Sequence, residues 1–521
     1  MTAIHTAITA AIALLAASTP AFAQKEGSAK SATEAKAAKT AEDVAANWTT
    51  APVIEAKTSR AGKVTVGGRT IGFTETAGTL TLRDMNGKPT GSIFYTAYTA
   101  PSTNGKRRPV TFLYNGGPGS STVWLRMGSF APMRVQTNEP QAVAPAPFPV
   151  TANEDTLIGS TDMVFLDAMG AGYSRPLGDT PASDFYGFDK DVDAFAKAIT
   201  RYVTVNKRWG DPKYIFGESY GTPRSAALAY KLEDQGMALN GVILLSSIMN
   251  YGVRQPGLDV DFIGLFPSYA ATAWYHNRIA DRPADVATIV EQARQFANGP
   301  YSAALAKGSD ITPAELDSVA QQMSRLTGLS PEFIKRANLR ISLSRFRKEL
   351  LRDNRTTIGR LDSRYTGMDD DAAGDRPEYD ASSTGITGLY VGSFLQRLGD
   401  MGYDTDLTYR LSARDGADWK WELSHKAPDG STQSVVDSTA DLSAVMRINP
   451  HLRVLSLNGY YDMATPFFAT EQSLKHMMLD PSLQKNLQFK YYESGHMIYL
   501  NPQSLHQMRL DMERYYAEGV R

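Results

Sequence analysis

The sequence predicts an α/β protein with a doubly wound, mostly parallel sheet, antiparallel strands on its amino-terminal side and a helical cap insertion. Two observations predict this fold class. From residue 110 onward, short apolar runs such as 110–114 and 163–166 alternate with helical patterns, as in parallel sheets buried on both faces. Before residue 100, β-type runs follow one another directly, separated by turn dipeptides.

The first strands are expected between residues 63 and 99. Four β-type runs occur there, at 63–66, 71–74, 79–82 and 92–95. Gly67-Gly68 and Asn86-Gly87 lie between runs and favour tight turns. We therefore expect a meander of short antiparallel strands.

The parallel part of the sheet is expected on both sides of a long insertion. Apolar runs at 110–114, 163–166, 214–216 and 242–245 precede it, and runs at 454–457 and 488–492 follow it. Between them, Thr312-Pro313 and Ser330-Pro331 are typical helix starts. We predict a core formed by residues 46–250 and 451–521, and a mostly helical insertion over 251–450.

Composition excludes several classes of protein. The chain of 521 residues has 54 Lys plus Arg against 55 Asp plus Glu, so it lacks the basic field that nucleic-acid binding needs. It contains no cysteine, which excludes disulfides, thiolate metal sites and a cysteine nucleophile. No apolar run in the sequence reaches the length of about 18 residues that spans a membrane. No metal-binding or cofactor motif is present, so no cofactor is predicted, and nothing specifies an oligomeric state.

The amino terminus has the pattern of a signal peptide. An apolar stretch over residues 8–17 is broken by Pro20, and Ala21-Phe22-Ala23 forms a small-x-small cleavage site. Residues 24–45 consist mainly of Ala, Lys, Glu, Ser and Thr, which predicts a flexible tether. We therefore expect cleavage after residue 23 and a periplasmic or secreted protein, and the lack of cysteine favours a bacterial one.

The sharpest motif is Gly217-Glu218-Ser219-Tyr220-Gly221. It follows a predicted strand and precedes a plausible helix, which is the context of the G-x-S-x-G nucleophile elbow of α/β hydrolases. Glycines are needed there because the tight turn leaves no room for β-carbons beside the serine. Ser219 is therefore the candidate nucleophile.

A serine hydroxyl needs a base, and in this architecture the acid and then the histidine follow the serine along the chain. Of the late histidines, His476 and His506 lie in predicted helices, whereas His496 lies in a loop after the last predicted strand. Asp462 lies in a turn after the penultimate strand. We predict that His496 transfers the proton and that Asp462 holds its tautomer and balances its charge.

A glycine-rich turn, Asn115-Gly116-Gly117-Pro118-Gly119-Ser120-Ser121, follows the strand at 110–114. Bare backbone at this place lets amide groups approach a developing oxyanion. We assign the oxyanion donors to the amides of Gly117 and Tyr220. The turn lacks the G-K-[ST] ending of a phosphate-binding loop.

Together these blocks resemble the serine carboxypeptidases. The glycine-rich turn, the serine elbow, the 459–462 turn and Gly495-His496-Met497 match the family's signature blocks in order, and residues 167–174 add a fifth. The resemblance implies an α/β-hydrolase fold with a helical cap, and a hydrolase that releases carboxyl-terminal residues from peptides through an acyl-enzyme. It further implies that Asn115 and a protonated Glu218 bind the free carboxyl terminus of the peptide.

The chain departs from the family pattern at several positions. Ser129 stands where the family has a second glutamate that shares the proton of the first, so the resemblance gives Glu218 no partner carboxyl. Ser120 stands where a cysteine often lies, and Leu157 where a tryptophan is usual. The resemblance therefore does not by itself predict the acidic working pH of the family.

Three alternatives stay open at this stage. A proline aminopeptidase also uses a Gly-Gly-Pro-Gly turn, but it has histidine where this chain has Asn115 and no glutamate in its serine elbow. An esterase or acyltransferase on the same scaffold would use the same triad. A non-catalytic exported binding protein is disfavoured by the intact set of Ser219, Asp462 and His496.

Overall fold

The computed structural model describes residues 51–102, 105, 107–416 and 419–519. The predicted signal peptide (1–23) and tether (24–45) lie outside these residues. Within the described part, no helix combines the length and apolar character needed to cross a bilayer. The strands, in chain order, are β1 Lys57–Val66, β2 Arg69–Arg83, β3 Pro89–Thr99, β4 Val110–Tyr114, β5 Met133–Val135, β6 Val150–Ala152, β7 Asp162–Leu166, β8 Arg175–Pro176, β9 Lys213–Glu218, β10 Gly241–Leu245, β11 Thr356–Ile358, β12 Thr366–Met368, β13 His425–Lys426, β14 Thr432–Gln433, β15 Arg453–Gly459 and β16 Leu487–Tyr492.

A ten-stranded sheet organises the described chain. Its order is β1-β2-β3-β7-β4-β9-β10-β15-β16, with β8 paired to β3. The parallel part of the sheet consists of β7, β4, β9, β10, β15 and β16. Strands β1, β2 and β3 extend it in antiparallel fashion. The chain enters the parallel part at β4, moves to β7 on one side and then to β9 on the other, so the strand order switches direction beside β4. Such a switch leaves a crevice at the carboxyl ends of the strands.

The antiparallel extension has three long strands where the sequence predicted four short ones. The expected strands at 71–74 and 79–82 are both part of β2. Gly78 lies between them without interrupting the ladder, because it pairs with Lys57 on one side and with Tyr95 on the other. The predicted number of strands was therefore wrong, while their antiparallel pairing was right.

Helices cover both faces of the sheet. In chain order they are α1 Val123–Gly128, α2 Phe188–Val205, α3 Gly221–Asp234, α4 Val260–Tyr275, α5 Val286–Phe296, α6 Ser302–Ala306, α7 Pro313–Thr327, α8 Pro331–Arg336, α9 Leu343–Glu349, α10 Ala381–Thr384, α11 Thr387–Asp400, α12 Thr439–Ile448, α13 Phe467–Lys475 and α14 Pro502–Gly519. Alternate side chains of the parallel strands point to opposite faces, as the period of a strand requires. Phe112 and Ile215 pack in one apolar cluster with α2, α3 and α12. Leu113 and Phe216 pack in the other, with α1, α11 and α14.

The chain between β10 and β15 forms a third apolar cluster. Side chains of α4, α5, α7, α8 and α9 build it, and it is joined by Tyr461 from the turn after β15 and by Phe467 at the start of α13. The predicted start of α7 is confirmed, because Thr312 and Glu315 form a reciprocal capping box. This cluster thus rests against the segment that carries Asp462.

A buried ionic group joins the antiparallel extension to two helices. Glu75 of β2 is 1 % exposed. Its carboxylate accepts hydrogen bonds from Tyr98 at 2.8 Å, Arg126 of α1 at 2.9 Å and Arg397 of α11 at 2.7 Å. Burial raises the pKa of the Glu75 carboxyl, but the two arginines outweigh it and leave the pKa below its ordinary value.

We predict that Glu75→Ala lowers the free energy of unfolding by about 3–5 kcal/mol, because it leaves buried Arg126 without its carboxylate. Urea denaturation of the purified protein measures this change. The loss should shrink as the pH falls below about 4, since the stabilisation from a lowered carboxyl pKa disappears once the carboxyl protonates. Glu378→Ala, at an exposed position, is the matched control and should change stability by less than about 0.5 kcal/mol. Equal losses in the two variants would contradict the prediction.

Candidate active site

Three predicted residues follow three strands of the parallel sheet. Ser219 follows β9, Asp462 follows β15 and His496 lies in the loop after β16. The carboxyl ends of parallel strands meet at one edge of a sheet, so these residues converge there. A cavity of about 240 Å³ opens at this edge, and its lining includes Asn115, Glu218, Ser219 and His496.

The serine elbow has the strand–turn–helix form that the sequence predicted. Ser219 has a φ of 60°, a left-handed backbone conformation that residues other than glycine rarely adopt. A β-carbon at Gly217 would lie 2.0 Å from the carbonyl oxygen of Gly221, so only glycine fits. The Ser219 amide donates to the Leu245 carbonyl at 3.0 Å, which ties the turn to β10. Ser219 is therefore held in a strained turn while its side chain stays partly exposed to the cavity.

The glycine-rich turn packs directly against this elbow. A β-carbon at Gly116 would lie 2.4 Å from the Tyr220 amide nitrogen and 2.6 Å from the Glu218 carbonyl oxygen. Gly117 lines the cavity beside Ser219. Gly116, the neighbour of Gly117, therefore lies against the backbone of Tyr220, the other predicted oxyanion donor. Ser120 also lines the cavity, and its hydroxyl donates to the Ser121 carbonyl at 3.0 Å.

His496 and Asp462 form a buried pair. The Nδ1 atom of His496 lies 2.8 Å from Oδ2 of Asp462. Asp462 also accepts hydrogen bonds from the amides of Ala464 at 2.8 Å and Thr465 at 3.0 Å, and from the Thr465 hydroxyl at 2.7 Å. Burial lowers the pKa of His496, but the charge and hydrogen bond of Asp462 outweigh it and leave the pKa above its ordinary value. The pair therefore suits an imidazole that must carry a proton for part of a reaction.

The backbone of His496 is fixed from two sides. Its amide donates to the carbonyl of Leu361 at 2.6 Å, and its carbonyl accepts from the Ser246 hydroxyl at 2.7 Å. Leu361 belongs to the long insertion, whereas Ser246 follows β10. Sequence reasoning missed both contacts, because nothing in the local pattern of either residue points to a partner so distant in the chain.

Glu218 lies in a buried polar group at the same cavity. Only 3 % of it is exposed, and the Tyr499 hydroxyl donates to its Oε2 at 3.0 Å. Burial raises the pKa of Glu218 to about 7, against the opposing effects of His496, Tyr499 and Asn115. Asn115 is oriented by the Leu125 amide, which donates to its Oδ1 at 3.0 Å and leaves the Nδ2 group to donate elsewhere. Tyr499 was not predicted as a site residue, although its position three residues after His496 places it near the predicted site.

Ser129 does not take the part of a second carboxyl. Its hydroxyl donates to the Leu125 carbonyl at 2.5 Å, within the chain turn that ends α1. The missing carboxyl removes one reason for a raised Glu218 pKa, and in this structure burial raises that pKa without it. Leu157 begins a buried turn before β7 and does not line the cavity.

The remaining walls of the cavity are mainly apolar. Trp124, Ile386 and Met497 line it together with Leu361, and Arg360 is its charged wall residue besides Glu218 and His496. Among the described residues, no group of three or more His, Asp or Glu side chains is arranged to hold a metal ion. The cavity can therefore take an extended chain end with an apolar side chain and a polar terminus.

Comparisons with known proteins give one family. The serine carboxypeptidase family model matches residues 67–340, which include the glycine-rich turn and the serine elbow. No curated protein matches the chain.

Several solved structures are similar at low identity. A proline iminopeptidase from Mycobacterium smegmatis has 14 % identity and a TM-score of 0.36, and the match covers 85 % of this chain and 98 % of that one. A carboxyl esterase from Bacillus coagulans has 10 % identity and a TM-score of 0.34, over 85 % and 98 % of the two chains. A monoglyceride lipase from Saccharomyces cerevisiae has 10 % identity and a TM-score of 0.35, over 84 % and 95 %.

The family match agrees with the resemblance seen in the motifs, and the sheet order, the elbow and the strand-end loops agree with an α/β-hydrolase fold. The chain belongs to the serine carboxypeptidase family and is a hydrolase that acts on peptide bonds.

Proposed function

We propose that the protein is a serine carboxypeptidase that removes the last residue of peptides through an acyl-enzyme on Ser219. One observation carries the proposal: Ser219, the His496–Asp462 pair and the buried Glu218 group all meet at one cavity. Ser219, His496 and Asp462 supply nucleophilic catalysis, and Glu218 with its partners supplies recognition of a chain end. The substrate class is peptides with a free carboxyl terminus.

The triad would work in two half-reactions. The Ser219 oxygen attacks the last peptide carbonyl, and His496 takes the serine proton through Nε2, since its Nδ1 is held by Asp462. The tetrahedral intermediate collapses, the C–N bond breaks, and His496 gives the proton to the leaving amine. Water then attacks the acyl-enzyme with His496 again as base, and the shortened peptide leaves as Ser219 regains its proton.

The oxyanion would be stabilised by backbone amides. We assign the donors to Gly117 and Tyr220, which the close approach of the glycine-rich turn to the elbow brings together. Tyr220 also stands directly before α3, so the amino-terminal end of that helix faces the developing negative charge. A donor of this kind typically contributes about a hundred- to a thousandfold in rate.

The terminal carboxylate would be bound by Asn115 and a protonated Glu218. Asn115 has its oxygen engaged by Leu125, and its amide group, which already acts on Glu218 as a donor, would share its two N–H groups between Glu218 and the anion. A carboxyl next to a carboxylate is tolerable only when one of them holds a proton, and the raised pKa of Glu218 favours that state. Tyr499 would then hold the protonated Glu218 in place from behind.

We also propose export through the signal peptide at residues 1–23, followed by the tether at 24–45, to the periplasm or the medium. The support is the apolar stretch, the proline break and the Ala21-Phe22-Ala23 site in the sequence. Amino-terminal sequencing of the protein from its native host should give Gln24 as the first residue.

We predict that peptides with a free carboxyl terminus lose their last residue and that the same peptides amidated do not. Asn115→Ala should lower kcat/KM for the free peptides about a hundredfold, because it removes a charge-assisted hydrogen bond to the carboxylate, and lower it far less for a small ester. Release of the terminal amino acid, followed by mass spectrometry, measures both effects. Ser219→Ala is the inactive control. Equal cleavage of free and amidated peptides would overturn the carboxylate site, and hydrolysis of the ester alone would assign the protein to the esterases.

We predict a bell-shaped pH profile of kcat/KM for free peptides, with its alkaline side near the Glu218 pKa of about 7. Above that pH Glu218 loses the proton that it donates to the substrate carboxylate. On the acid side His496 gains a proton and stops acting as a base. Glu218→Gln keeps a neutral donor at every pH, so its profile should lose the alkaline side. Its acid side should stay near its wild-type position, since Glu218 is already neutral at the pH values where His496 gains its proton.

The control for this profile is a small ester, which should show only the acid side in the wild-type protein. An alkaline decline that persists unchanged in Glu218→Gln would contradict the role of Glu218.

A further inference from the structure

A positively charged side chain lines the cavity and has no evident structural task. Arg360 is exposed and forms part of the cavity wall with Ser219 and His496. Its backbone is well held, because its amide donates to Asp380 at 2.9 Å and its carbonyl accepts from the Met463 amide at 3.2 Å. Its guanidinium has no hydrogen-bond or ion-pair partner among the residues that the structure describes.

The neighbouring carboxylate is already occupied. Asp380 accepts from the amide of Ser382 at 3.1 Å and from its hydroxyl at 2.5 Å, and Arg347 is its ion-pair partner at 3.8 Å. Arg360 therefore binds Asp380 only through its backbone amide, and its guanidinium is available to a molecule in the cavity. An arginine presented in this way offers a planar fork of donors that fits a carboxylate.

Two further arginines bind carbonyl groups of the cavity wall. Arg254 donates to the Ala464 carbonyl at 2.8 Å, and Arg414 donates to the Gly117 carbonyl at 2.9 Å. Both Ala464 and Gly117 line the cavity. Asp261 lies 3.7 Å from Arg254, and the described residues provide no ion-pair partner for Arg414. This rim, formed by Arg254, Arg360 and Arg414, carries a surplus of positive charge.

The arginine rim and the carboxylate group are held by different elements. Arg360 and Arg254 are both bonded to the turn that carries Asp462, Arg360 through the Met463 amide and Arg254 through the Ala464 carbonyl. Asn115 is instead bonded to α1 through the Leu125 amide. Tyr499, which holds Glu218, packs with Leu125 in one apolar cluster. A peptide whose last residue lies towards Tyr499 would place the preceding residue towards the rim.

We propose that Arg360 selects peptides with an acidic residue immediately before the cleaved bond, by pairing its guanidinium with the side-chain carboxylate of a penultimate Asp or Glu. Arg254 and Arg414 add to the attraction without a direct contact. This inference rests on the proposed carboxypeptidase function, because it takes the position of the last residue from the Asn115–Glu218 site. It adds the chemical class of the preferred substrate, which neither the motifs nor the family match specifies.

The test compares blocked peptides that end in the same residue and differ only in the penultimate one: Glu, Gln or Lys. At about pH 6 a penultimate Glu is ionised, because its pKa is about 4.3. We expect kcat/KM for release of the last residue to be about tenfold higher with Glu than with Gln, the size of one charge-assisted hydrogen bond, and lowest with Lys. Arg360→Gln should bring the Glu-to-Gln ratio to about one, and Arg360→Lys should keep part of it. Arg376→Gln removes an exposed arginine away from the cavity lining and should keep the full ratio.

Three results would overturn the inference while leaving the proposed function intact. They are a wild-type ratio near one, a preference for an acidic last residue instead of an acidic penultimate one, and an equal loss on all peptides in Arg360→Gln. If Arg360→Gln instead removed the discrimination between free and amidated peptides, Arg360 would be a ligand of the terminal carboxylate and the inference would also fall. Failure to release the last residue from any of the peptides would overturn the proposed function itself, and the inference with it.

Discussion

Close backbone approach at the carboxyl edge of the sheet is the constraint on which the site depends. The glycine-rich turn reaches the serine elbow so closely that a single β-carbon at Gly116 would overlap the amide of Tyr220. The elbow itself closes only because Gly217 leaves room for Gly221. The packing is possible because these glycines have no side chains, and in the proposed mechanism the same bare backbone supplies the oxyanion donors. The strained φ of Ser219 is the cost of this arrangement, and the surrounding sheet maintains it.

Burial then sets the electrostatics, with opposite results for different groups. At His496 the desolvation penalty is outweighed by Asp462, so the charged form is favoured. At Glu218 the partners are weaker than the penalty, so the neutral form is favoured near neutral pH. The pKa is therefore raised for an imidazole and for a carboxyl at the same cavity, which favours the charged form of His496 and the neutral form of Glu218. This division needs no second carboxyl beside Glu218, which explains how Ser129 can occupy that position and bind only the Leu125 carbonyl.

The sequence allowed much of this arrangement to be predicted, because it depends on local patterns. Strands β4, β7, β9, β10, β15 and β16 are apolar runs, and Ser219, Asp462 and His496 follow three of them. Contacts between distant segments were not predictable in this way. The pairing of Glu75 with Arg397 spans 322 positions, and the strand β2 that holds Glu75 was expected as two shorter strands. Likewise, nothing in the sequence indicates that Leu361 would hold the amide of His496, since a backbone carbonyl leaves no trace in residue type.

The insertion contributes to the site in two ways that are physically linked. Leu361 fixes the backbone of His496, and Arg360, its neighbour in the chain, presents its guanidinium to the cavity. The segment is anchored through Asp380 and Met463, that is, through backbone atoms. Its position is therefore insensitive to which side chain stands at 360, whereas any shift of its backbone would also displace the histidine. In the role proposed for Arg360, substitution of this one side chain would therefore change selectivity without moving the backbone of His496. In the proposed function, the core fixes the chemistry and the insertion supplies an exchangeable side chain next to Leu361, the residue that holds the base, through one set of backbone hydrogen bonds.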